Sequence, residues 1–232
     1  IIYIFFIIGR LLGLSLSRKF FSFFFTKFGS IFKSKLIVNK NIKIFTKYAP
    51  SSNSDEIISN MWKNYGMTFI EYAFLNHFRK NDSHIKIIGI ENIKSLINSN
   101  KQAIFVSGHF ANFELMSMEI TKKNINLATI YRPLNNYFLN PFMEYLRKKY
   151  ICKNQIKKGI NGVRESLKFF KQGVSIAIMI DQRVSEGEKI NFFSHPAYTT
   201  TIPAQFVKKF GCKIQPVHIE RYNKINFKIT FD

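Results

Sequence analysis

A chain of 232 residues is long enough for one sizeable core and one catalytic domain, and a hydrophobic content of 46% excludes a disordered protein. Lys and Arg number 35 against 14 Asp and Glu, a formal net charge of +21, which calls for nucleic acid, anionic lipid or a phosphorylated substrate as partner. The competing reading is an AT-rich codon bias, which inflates Lys, Asn and Ile without selection for binding.

The chain opens on an apolar run broken by Arg10 and by the Arg18-Lys19 pair, after which Phe20 to Phe25 are all Phe except Ser22 and His-free. A spanning helix needs roughly 20 mostly apolar residues without central charge. An interfacial or partly inserted anchor therefore fits better than a clean span, with a buried core helix or the tail of a longer transmembrane helix as alternatives. No small-residue cleavage site follows, which argues against a signal peptide. Residues 33–47 read as a basic connector and Ala49-Pro50-Ser51-Ser52-Asn53 as a loop, so residues 1–50 form an apolar, membrane-facing helical arm and 51–232 a second domain. The final alternating run, 224–231, reads as a strand at which the chain is cut short.

Ser54 is placed to cap a helix that carries Asp55 and Glu56 in its first turn and runs to about residue 78. Its Ile58, Met61, Trp62, Tyr65 and Phe69 recur at spacings of three and four, the mark of a packed face. Beyond it, short apolar runs predict strands over 85–89, 103–107, 127–131, 174–180, 213–219 and 225–231. Helices are predicted over 92–98, 112–123, 137–149, 162–171 and 201–210, with Gly173 and Gly211 where left-handed C-terminal residues are wanted. Strands separated by helices of this length imply an α/β fold, a mostly parallel sheet flanked by helices.

The strongest local signal is Val106-Ser107-Gly108-His109-Phe110-Ala111-Asn112-Phe113-Glu114. A buried strand ends at Ser107, Gly108 permits a tight turn, and His109 emerges at the carboxyl end of the sheet, where open α/β folds place their sites. Within one ideal helix His109 and Glu114 would lie about 140° apart. With His109 in the turn before the helix, the Glu114 carboxylate can instead reach one imidazole nitrogen, fix the tautomer and leave the other nitrogen to remove a proton. The alternative is a His that caps the helix, with Glu114 as partner to its dipole. Asp181 and Gln182 follow another apolar strand, which again places polar groups at the carboxyl edge of the sheet. Basic clusters such as Lys33/Lys35, Arg147/Lys148/Lys149 and Lys157/Lys158 read singly as solvated faces. Cys152 and Cys212 stand far apart without ligand-spaced Cys or His, so neither a zinc motif nor a disulfide framework is present. No Gly-x-Ser-x-Gly elbow points to an α/β-hydrolase.

The segment with His109 followed after four residues by Glu114 resembles the late acyltransferases of lipid A biosynthesis, the lauroyl/myristoyl transferase family within the wider glycerolipid acyltransferase-like superfamily. Tyr131-Arg132-Pro133-Leu134-Asn135-Asn136 is similar to that family's second block, Asp181-Gln182 to its third, and Phe192-Phe193-Ser194-His195-Pro196-Ala197-Tyr198-Thr199 to its fourth. The likeness extends upstream through Trp62-Lys63-Asn64-Tyr65-Gly66 and Glu71. Ala111 and Phe113 stand where the family often has Gly and Trp, and Ser194 where Gly is common. The resemblance implies His109 as general base with Glu114 as its orienting partner, and Asn112, Arg132, Asp181 and Gln182 as substrate-binding residues. It also implies an acyl carrier protein donor, a phosphorylated glycolipid acceptor and an anionic membrane surface at the cytoplasmic face of the bacterial inner membrane, with no cofactor, metal or nucleic acid. A different lipid acceptor, such as a lysophospholipid, an aminolipid or a glycosylated lipid, would be served by the same dyad. A basic nucleic-acid module is the alternative from another class, supported by charge alone.

Overall fold

The computed structural model describes residues 2–31, 34–99, 101–185, 187–223 and 225–232. Ile1, Lys33 and Lys224, which fall in runs singled out above, lie outside these. The chain divides into two compact units, Ile1–Phe74 with Asn191–Pro196, and Leu75–Ile190 with Ala197–Asp232. The division thus falls inside the helix that the sequence reading runs from Ser54 to about residue 78.

In the first unit α1 (Ile2–Phe28) covers the apolar run, but Gly13 at φ 73°, ψ 165° breaks it. Glycine takes that conformation without a Cβ clash, and the chain doubles back there. Phe5 and Phe21 would stand roughly 24 Å apart on a straight helix. Their ring centroids are 5.7 Å apart instead. Residues of the expected connector form α2 (Lys35–Thr46), and α3 (Ser54–Glu71) follows. Asn53 rather than Ser54 caps α3, its Oδ1 accepting the amide hydrogens of Asp55 and Glu56. Phe5, Phe6, Phe21 and Phe25 gather around Phe69 of α3 at centroid distances between 5.3 and 6.4 Å. Arg18, read from sequence as a charge interrupting an anchor, is turned inward: its Nε donates to Glu71 Oε1 at 2.7 Å, with the side chains 6% and 0% exposed. Among the described residues no helix is long and apolar enough to cross a membrane.

The helix expected to reach residue 78 stops at Glu71 and, after a 3₁₀ turn at Tyr72–Phe74, resumes in the second unit as α4 (Leu75–Lys80). There follow β1 (Ile85–Ile88), α5 (Lys94–Ser99), β2 (Ala103–Ser107), α6 (Phe113–Lys122), β3 (Leu127–Tyr131) and α7 (Leu139–Leu146), which ends in a π-helical turn at Arg147–Ile151. Next come β4 (Asn154–Lys157), α8 (Ile160–Lys171), β5 (Ser175–Met179), the hairpin β6 (Glu188–Phe192) and β7 (His195–Thr199), whose tip Asn191–Pro196 is counted with the first unit, α9 (Ile202–Phe210), β8 (Lys213–Tyr222) and β9 (Asn226–Phe231). The expected left-handed residues are present at Gly173 (φ 85°) and Gly211 (φ 61°). The hairpin turns through Phe193 and Ser194, both at positive φ (49° and 54°), the geometry of a type I′ turn.

Seven strands pair in the order β1-β9-β8-β2-β5-β3-β4, parallel throughout except between β8 and β9. The central β2 and β5 are buried on both faces and read as continuous apolar runs, whereas β9 alternates buried and half-buried residues. Ile104, Ala128, Ile156, Ile176 and Ile178 form a core against Phe170 of α8 and Phe206 of α9. Topology then places the site. The crossover from β2 to β3 travels across the sheet in one direction, and those from β4 to β5 and from β5 to β8 travel in the other. Since such crossovers are right-handed, α6 lies on one face and α8 and α9 on the opposite one. The chain leaving β2 therefore parts from the chain leaving β5, and a crevice opens between the carboxyl ends of these neighbours.

Candidate active site

His109 and Asp181 meet in that crevice, and the register dictates that they do. Ile104 pairs with Ile176 and Ser107 with Met179, so continuing two residues past each strand brings 109 opposite 181. The Asp181 carboxylate grips His109 twice: Oδ2 accepts the His109 backbone N–H and Oδ1 lies 2.8 Å from Nδ1, both contacts being 2.8 Å. The carboxylate on Nδ1 is thus that of Asp181, where spacing had suggested Glu114. Burial pushes the Asp181 carboxyl up, but the side-chain and backbone hydrogen bonds of His109 outweigh it and hold the group below its usual 3.8. A carboxylate on Nδ1 keeps the proton there, which leaves Nε2 as the basic nitrogen. The Phe113 ring stands edge-on to the imidazole at 4.7 Å between centroids.

The turn carrying His109 is tightly built. Ala111 sits at φ 41°, a left-handed conformation that glycine adopts more easily than alanine. A Cβ on Gly108 would stand 3.3 Å from Asp181 Cγ and 2.9 Å from carbons of the Phe110 ring. Gly108→Ala is therefore expected to displace the carboxylate from Nδ1 and lower turnover on the order of 10- to 100-fold, with a nearly unchanged melting temperature. Turnover and melting of the purified variant, measured together, check this.

Beside the dyad opens a cavity of about 500 Å³. Phe113, Ile130, Ala177, Ile178, Val184 and Ile202 give it an apolar lining, and His109, Glu114, Arg132, Arg147, Lys158 and Gln182 its polar wall. Of the residues singled out in the sequence, His109, Glu114, Arg132 and Gln182 thus face one space, and Asp181 joins them through His109. Asn112 stands apart from that lining, 1% exposed at the foot of α6. Glu114 accepts from Arg147, with Nε at 2.7 Å and Nη2 at 2.6 Å, and the two side chains are 8% and 12% exposed. The Arg147 guanidinium also lies over the Tyr131 ring at 5.6 Å. Sequence reading missed Arg147 by counting it with a solvated cationic run; it faces inward from the π-helical turn. Its only sequence signal is its position next to Leu146, at the end of an amphipathic helix. Lys158 likewise belongs to the cavity wall.

Over residues 1–232 the chain matches the family model of the bacterial lipid A biosynthesis acyltransferases. The chain belongs to that family. A search of the curated proteins found no match. The protein is accordingly an acyltransferase of lipid A biosynthesis, not the basic binding module that charge alone also allowed. In an acyltransferase the two halves of the cavity have distinct uses: an apolar lining suits a fatty chain, and cations suit the oxygens of a reacting carbonyl or of phosphate.

Proposed function

We propose that this acyltransferase moves a fatty acyl chain from an acyl carrier protein thioester to a hydroxyl of a phosphorylated lipid A precursor, at the cytoplasmic face of the bacterial inner membrane. The observation that carries the reading is the imidazole of His109, held by Asp181 beside a cavity that is apolar within and cationic at its wall. Nε2 takes the acceptor hydroxyl proton as that oxygen attacks the thioester carbonyl carbon. The C–O bond forms, the C–S bond breaks as the oxyanion collapses, and the departing thiolate recovers the proton from the imidazolium. Arg132 and Lys158 supply positive charge to the oxyanion and to the acceptor phosphates. Glu114 and Arg147 neutralise one another and hold the wall in shape. The exposed apolar side chains of α1, among them Ile4, Ile7, Leu11 and Phe23, contact lipid, and Arg10, Lys19 and Lys27 favour anionic headgroups.

Incubation of the purified protein with acyl carrier thioester and either a lipid A precursor or a lysophospholipid, read by mass spectrometry, tests the proposal. The precursor is expected to gain the mass of one acyl group. Acylation of the lysophospholipid alone would contradict the acceptor assignment.

A further inference from the structure

The loop that leaves β3 holds two aromatic side chains out from the rim of the cavity. Pro133, Leu134 and Asn135 line the cavity, and the next side chains outward, Tyr137 and Phe138, are 91% and 85% exposed. The loop is fixed from both sides. Asn136 Oδ1 accepts the amide hydrogens of Phe138 and Leu139, each at 3.0 Å, and Asn140 Oδ1 accepts that of Leu134 at 2.7 Å. The Asn140 amide in turn donates to Glu144, which also accepts from Tyr131 at 2.6 Å. A loop braced to keep two adjacent rings in water marks a surface that meets something apolar.

Its surroundings indicate what that is. Arg132 and Lys158 follow the paired strand ends of β3 and β4, where the Lys158 N–H donates to the Tyr131 carbonyl at 2.8 Å, and Ile160 just beyond is 66% exposed. Projecting aromatic rings beside cations, at the mouth of a cavity with an apolar lining, match the chemistry of a bilayer interface with anionic headgroups. Two neighbouring rings this exposed suit insertion between lipids better than a flat contact with a folded partner.

We propose that the Tyr137-Phe138 tip inserts into the boundary between headgroups and acyl chains of an anionic leaflet, and so sets the cavity mouth against the membrane. Its purpose rests on the lipid acceptor proposed above, but the insertion itself can be measured without any transfer. Full-length Phe138→Trp, with Gln172→Trp as a control before β5 at the other end of the sheet, is mixed with phosphatidylethanolamine/phosphatidylglycerol vesicles carrying brominated acyl chains. Trp62, the single native tryptophan, is 6% exposed and supplies a common background. The Phe138→Trp emission should shift to the blue and be quenched by bromine, and that of Gln172→Trp should not. Vesicle-bound protein whose Phe138→Trp signal equals the background overturns the proposal. In the transfer assay, Tyr137→Ser/Phe138→Ser should raise KM for a vesicle-embedded acceptor at least 10-fold and leave KM for the carrier thioester unchanged. A raised KM for the carrier thioester alone would assign the tip to the carrier protein and equally overturn the proposal. Quenching without transfer in the parent protein would refute the assigned activity and leave the insertion standing.

Discussion

His109→Ala is expected to lower acyl transfer by roughly 10²- to 10⁴-fold, the usual contribution of a positioned general base. The side chain is 33% exposed and lies on a turn, so its truncation leaves the sheet intact and the loss is chemical. Asp181→Asn should fall in the same range although it removes no atom that touches substrate. An amide in place of the carboxylate can present its NH₂ to Nδ1, which moves the imidazole proton to Nε2 and leaves no lone pair there for the acceptor hydroxyl. Steady-state turnover with carrier thioester checks both. The pH dependence follows from the lowered Asp181 carboxyl. Whatever a carboxylate with a depressed folded value contributes is present above its ordinary 3.8 and is lost only as pH falls through that lower value. Protonation of Asp181 should therefore lower the rate only on the acid side, with its midpoint below 3.8.

Glu71→Ala carries the largest expected cost in stability, about 3–5 kcal/mol, because it strips a buried guanidinium of the carboxylate that neutralises it. Arg18 of α1 and Glu71 of α3 join these two helices within the first unit at 2.7 Å. Replacing both with Met should restore most of the loss, since an apolar pair of similar volume removes the uncompensated charge. Chemical denaturation of the single and double variants gives both values.

How much of this was legible in the sequence varied with how local its cause is. The bounds of β2 follow from its apolar run alone, because a strand buried on both faces needs no periodicity to be seen. The edge strand β4 escaped notice, since Asn154-Gln155-Ile156-Lys157 buries a single side chain, that of Ile156. Helix α2 was hidden for a related reason: it buries no residue, so its Leu36, Ile37, Val38, Ile42 and Ile44 form no clean stripe. His109 and Asp181 could each be placed at the carboxyl edge of the sheet from the strand that precedes it. Their pairing could not, because it depends on β5 rather than β3 lying next to β2, a fact of sheet order that no local pattern contains. The partnership of Glu114 with Arg147 is hidden in the same way, across 33 residues and a π-helical turn.

The most direct test of the central claim is a double-mutant comparison of transfer rates for His109→Ala, Asp181→Ala and the two together. If Asp181 acts through the imidazole, the double variant should be no more than a few-fold slower than His109→Ala alone. Losses that multiply, or single variants that keep the full rate, would contradict it.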